Sequence, residues 1–215
     1  MTTQVVSELQ QGLERLYRIH TALDVRDFLI DAPTRAALAP ARTPREQLLV
    51  AEHGGNLEMS LFLCGAALAN LTSRDPRAGL DDRNLGDFCL TVEGVSHFVY
   101  LAWRARAERP VSALELELQA EIDKYVTCLL VLHPLGGRAA ADLRPRLFDA
   151  FALEPDLDHE ERDRYLVANS NARAYAAHLD ARYVARGALV EMLAELRRFY
   201  RLGIGEKLAH IAKAA

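Results

Sequence analysis

Glu93, His97, Tyr100 and Arg104 recur at i, i+4, i+7 and i+11, so a helix presents a carboxylate, an imidazole, a phenol and a guanidinium in one row. A carboxylate and an imidazole one turn apart suit a metal ion or a proton-transfer step. The plainer alternative is a solvated helix pair contributing about 0.2–0.5 kcal/mol. Leu90 and Leu101 flank the row on its far side, which makes it narrower than an ordinary solvated face. The acid-x-x-x-His spacing is weak by itself. With 30 acids and seven histidines in 215 residues it arises about once by chance, and Glu206 to His210 repeats it.

Three other segments offer partners. Glu52 and Asn56 fall among Leu48, Leu49, Met59 and Leu63 if one helix runs through them, and a buried lone carboxylate costs several kcal/mol unless it is paired, protonated or turned outward. A break at Gly54-Gly55 would turn Glu52 outward. Glu117, Glu121, Lys124 and Cys128 form a second row beside Leu118, Ile122, Tyr125 and Leu129, with Glu121 nearest the core edge. Its alternative is an exposed Glu121–Lys124 pair. Asn169, Arg173 and Asp180 flank a small-residue column of Ala168, Ala172 and Ala176, and the planar fork of Arg173 suits a carboxylate or an anionic ligand.

Convergence of these rows would make an internal polar site. Glu52, Glu93, His97 and Glu121 are its candidate ligands for a divalent metal ion, since three carboxylates and an imidazole suit a hard or borderline cation. Asn56, Tyr100, Lys124, Asn169 and Arg173 are the candidate ligand-binding groups. The same residues without metal would be a buried structural network.

The elements that must position these side chains read as helices almost throughout, with a period of 3.6 and little alternation. The first helix spans about Thr3 to Leu23, with Val6, Leu9, Leu13, Leu16 and Ile19 on one face. A short helix follows Asp24, and Thr43-Pro44-Arg45-Glu46 opens another that runs toward Asn70. The most apolar helix covers Phe88 to Ala107. Ser112 to Glu115 reads as a capping box for a helix to about His133, ended by Pro134, Gly136 and Gly137. Asp158 to Glu161 opens a long helix to Arg186, Gly187 separates it from one ending near Tyr200, and a short amphipathic tail follows Gly203 and Gly205. The expectation is an all-α fold: residues 1–215 as a single-domain antiparallel helical bundle of about six to eight helices.

Composition narrows the function classes. Half of the chain is apolar and 26% is charged, which excludes disordered and low-complexity classes. A net charge of −4 argues against non-specific binding to nucleic acid. No apolar run reaches the roughly 20 residues of a membrane span, and Met1 to Gln11 lacks the features of an export signal, so the expected location is cytoplasmic. Cys64, Cys89 and Cys128 are unclustered in sequence and sit in apolar runs, as in a reducing compartment. P-loop, dinucleotide, nucleophile-elbow, Cys-x-x-Cys and Glu-x-x-His motifs are absent.

Charge suggests a second class of function. Glu154 to Asp163 is acidic, whereas Arg164 to Arg201 is arginine-rich and carries Tyr175, Tyr183, Phe199 and Tyr200. Helix macrodipoles explain much of this asymmetry. An interface to a protein partner or to a second copy explains it too. Two expectations result: a bundle that binds a protein partner or a small ligand in an inter-helix polar pocket, and a metal-assisted hydrolase or lyase using Glu93, His97 and Glu121.

Overall fold

The computed structural model describes residues 3–132, 142–150 and 157–214. Eight α-helices carry most of these residues: α1 (Gln4–Tyr17), α2 (Ala32–Leu38), α3 (Gly65–Ser73), α4 (Leu85–Arg106), α5 (Ala113–Leu132), α6 (His159–Arg182), α7 (Leu189–Tyr200) and α8 (Ile204–Ala214). Short 3-10 turns at Val25–Phe28, Pro76–Ala78 and Val184–Arg186 and a π turn at Pro145–Asp149 link them. Three strands, β1 (Leu29–Ile30), β2 (Glu46–His53) and β3 (Asn56–Leu63), form a mixed sheet in the order β1-β3-β2. The protein is therefore mostly helical rather than strictly all-α.

Up to Leu63 the sheet replaces the helix expected from Thr43 toward Asn70, and only residues 65–70 of that stretch are helical, in α3. Gly54 and Gly55 do not kink a helix. They form the two-residue turn of a hairpin at φ +58° and +82°, a left-handed pair that glycine adopts without strain. Register runs from Glu46↔Leu63 to His53↔Asn56. One face of the hairpin then carries Glu46, Leu48 and Val50 beside Met59, Leu61 and Leu63, a period of 2 that the denser run of apolar residues obscures. Thr43-Pro44 precedes the strand and caps nothing.

α4 and α5 are antiparallel neighbours joined by six residues, 107–112. Val92, Val95, Phe98 and Val99 of α4 meet Leu118, Ile122, Val126 and Leu129 of α5 in the core, each almost wholly buried and worth about 1.5–3 kcal/mol. α6 packs on α5 through the small column Ala168, Ala172 and Ala176, which lets the backbones approach. α1 and α3 pack on α4, α7 on α1, and α8 on α6. The hairpin lies across α4 at Gly94, where an added Cβ would come within 2.8 Å of Leu63 and 2.9 Å of Glu46.

Several boundaries differ from the sequence expectation. α1 stops at Tyr17 because Arg18 is left-handed at φ 52°, and the chain turns before Leu23. Only half of the capping box at Ser112 forms. Ser112 Oγ accepts from the Glu115 amide, but the Glu115 carboxylate turns inward to Tyr100 and Arg104. The box at Asp158 and Glu161 is complete. Pro134, Gly136 and Gly137, and Glu154 and Asp156 of the acidic segment, lie outside the described residues. Among the described residues no helix is long and apolar enough to cross a membrane.

Candidate functional site

His97 sits on α4 between two carboxylates from different elements. Nδ1 is 3.6 Å from Glu46 Oε1 at the start of β2, and Nε2 is 3.6 Å from Glu117 Oε2 on α5. Both are ion-pair separations and long for a hydrogen bond, so His97 Nε2 and Glu46 Oε1 are buried without a hydrogen-bond partner. His97 is only 7% exposed, which makes an unsatisfied ring nitrogen costly. Glu93, His97 and Glu117 each offer one ligand atom, and the three atoms lie within 4.8 Å of one another. A cleft of about 290 Å³ opens beside them, lined also by Arg45, Glu46, Leu48 and Tyr165.

Charge in the site is unbalanced. Glu46, Glu93, Glu117 and Glu121 bring four carboxyl groups to the Lys124 ammonium and the His97 imidazole, while Arg42 and Arg45 at the cleft are paired with Glu161 and Asp87. Lys124 Nζ donates to Glu121 at 2.7 Å and to Glu93 at 2.9 Å. Burial pushes Glu93 up, but Lys124 and His97 outweigh it and hold this carboxyl below its usual value. Burial wins at Glu46 and at Glu121, whose carboxyls are raised despite His97 and Lys124 respectively. Burial disfavours the His97 imidazolium, yet Glu117 and Glu46 overcome it and raise the ring well above 6.5. The Tyr165 phenol, facing the same carboxylates, is raised by burial and then by Glu117, Glu93 and Glu46.

Of the four expected metal ligands, Glu93 and His97 come together. Glu121 is one residue removed, reached through Lys124. Glu52 is not part of the site. It is exposed beside the hairpin turn, opposite Leu57, because the strand carries it away from α4. Asn56 is exposed at the same turn. Arg173 is also elsewhere: its side chain is 57% exposed and pairs with Asp149 at 2.8 Å. Asn169 is buried with its amide nitrogen unpartnered, one turn from Tyr165, but it does not line the cleft. Lys124 joins the site as a counter-charge.

Tyr100 belongs to a different network. The α4 row is about 16 Å long from residue 93 to 104, so its two ends meet different neighbours. Tyr100 donates to Glu115 at 2.5 Å and accepts from the buried Lys207 of α8 at 2.9 Å. Lys207 also donates to Gln119 Oε1, and Gln119, Ser96 and Tyr17 all donate to Asp123. Glu46 and Glu117 are the two carboxyl groups beside His97 that the sequence does not single out. Glu117 stands in the same helical row as Glu121, and Glu46 required reading Gly54-Gly55 as a hairpin turn.

The expected C-terminal interface loses its aromatic anchors: Tyr175, Tyr183, Phe199 and Tyr200 are all buried. They pack inward, Tyr175 against Phe199 and Tyr200 against Tyr17. The cysteines also differ from expectation, since Cys89 and Cys128 touch across the α4–α5 seam. No protein-family model, no curated protein and no solved structure matches this chain.

Proposed function

We propose that the protein binds a divalent first-row metal ion between Glu93, His97 and Glu117, and uses it to hold a small ligand in the adjoining cleft. The carrying observation is the buried Nε2 of His97, which faces Glu117 at 3.6 Å and makes no hydrogen bond. That separation suits two ligands of one ion better than a hydrogen bond, because ligands about 2.1 Å from a tetrahedral ion lie about 3.4 Å apart. Two carboxylates and one imidazole suit Mn2+, Fe2+ or Zn2+. A divalent charge would also offset the surplus of carboxylates, and Glu46 on the other ring nitrogen would orient the imidazole.

The cleft favours a second reading, metal-assisted hydrolysis or elimination. An ion with three protein ligands retains positions for water or substrate, and a metal-bound water becomes a nucleophile near neutral pH. Binding is the primary reading because it requires only the ligand set.

Metal analysis of protein purified without a histidine tag tests this, together with thermal unfolding in added Mn2+ or Zn2+. About one metal ion per chain is expected, with a raised melting temperature. Both effects should be lost in Glu117→Gln and kept in Glu52→Ala. No bound metal and unchanged melting would identify the cluster as a structural network.

A further inference from the structure

One helical turn from the Glu93–Lys124 pair, toward the start of α4, Cys89 faces Cys128 of α5. Their sulfurs are 3.9 Å apart, in van der Waals contact. Cys89 is half-buried and Cys128 is buried. The antiparallel seam brings them together: Ser96 meets Asp123, Glu93 meets Lys124, and the next turn pairs the two thiols. Two helices held in this register by a continuous core keep the thiols adjacent, and closing to a bond length of about 2.05 Å requires about 2 Å of side-chain movement.

We propose that Cys89 and Cys128 are an oxidisable dithiol, which closes into an intramolecular disulfide when the protein meets a hydroperoxide. Cys89, the more accessible sulfur, attacks the distal peroxide oxygen as the thiolate. The O–O bond breaks, the alkoxide or hydroxide leaves and takes up a proton, and Cys89 becomes a sulfenic acid. Cys128 then gives up its thiol proton and attacks the Cys89 sulfur. The S–S bond forms as the S–O bond breaks, and water leaves. Two thiols are oxidised by two electrons and one hydroperoxide is reduced. Cys89 and burial raise the Cys128 thiol, which disfavours it for the first attack; its proton goes to the departing hydroxide as the S–O bond breaks. Lys124 stands one turn from Cys128 on α5, the nearest cation on that row. The dithiol does not depend on metal binding, and either can fail without the other.

The test is to treat reduced, native protein with one equivalent of hydrogen peroxide, then count thiols after denaturation and map peptides without reductant. The chain has three cysteines. Expected is a fall from three thiols to one, with residues 89 and 128 in one linked peptide pair, reversed by dithiothreitol. Cys64→Ser should retain the link, and Cys89→Ser and Cys128→Ser should each abolish it. Three surviving thiols, a link involving Cys64, a link between two chains, or Cys89 advancing to sulfinic acid without a link would each overturn the proposal.

Discussion

A missing side chain governs how closely the strand approaches the imidazole. Gly94 follows Glu93 on α4, and a methyl group there would strike Leu63 and Glu46. Gly94→Ala is therefore expected to destabilise the protein by about 1–3 kcal/mol, measured by urea unfolding, since overpacking displaces a backbone or a rotamer. The same variant should weaken metal binding, because it moves Glu46 away from His97. Lys207 is the other residue whose environment sets a measurable property. Burial pulls its ammonium from 10.5 to about 7, with Glu115 and Asp123 opposing and Arg104 adding to the shift. As pH falls from 10.5 toward 7, the unfolded chain takes up this proton before the folded one does, so stability drops through that window. Unfolding free energies at about pH 7 and about pH 8.5 should then differ between wild type and Lys207→Met. The wild type should gain up to about 1.4 kcal/mol per pH unit relative to the variant, and parallel pH profiles would refute the shift.

At the scale of elements, helices with explicit ends were legible. Asp158 and Glu161 make both bonds of their capping box, and the Val6, Leu9, Leu13 and Leu16 stripe is buried as its spacing requires. Asp158→Ala should lower stability by about 1 kcal/mol in thermal unfolding, an outcome local to α6. The hairpin was not legible by the same means. Leu48, Leu49 and Val50 are consecutive apolar residues, and both faces of β3 are buried near its end at Leu61, Phe62 and Leu63, so alternation is blurred. Its signal was instead conformational, in the Gly54-Gly55 pair. Gly55→Ala should cost about 1 kcal/mol, because φ +82° disfavours a side chain, and circular dichroism should show the helices intact. The same ambiguity reaches the site, since only a continuous helix puts Glu52 among core residues, whereas the hairpin turns it outward and brings Glu46 to His97. Glu93, His97 and Lys124 were legible because they sit on helices whose period was read correctly. The ring nitrogen's lack of a partner was beyond any one-dimensional pattern, because it depends on distances between three elements.

Across the whole molecule, two buried polar systems share the α4–α5 seam and divide the work. Toward the end of α4, Glu115, Tyr100, Lys207, Gln119 and Asp123 form a chain of hydrogen bonds that ties α8 and α1 to the core, with Arg104 Nε and Nη1 at its margin lacking a hydrogen bond. Arg197 of α7 and Arg201 just after it add to this by donating to the Leu16 and Tyr17 carbonyls, which caps the end of α1. Arginines that look like a binding surface in sequence thus act partly inside the fold. Nearer the start of α4, the second system is incompletely satisfied, rich in carboxylates, and opens on a cleft. It is in this second system, at His97, that we propose the metal ion. Pulsed electron paramagnetic resonance of the Mn2+-loaded protein tests that location most directly. A coupling from one imidazole nitrogen, present in the wild type and absent in His97→Ala, is the expected result. A hydrated Mn2+ spectrum without nitrogen coupling, or a coupling that survives His97→Ala, would contradict it.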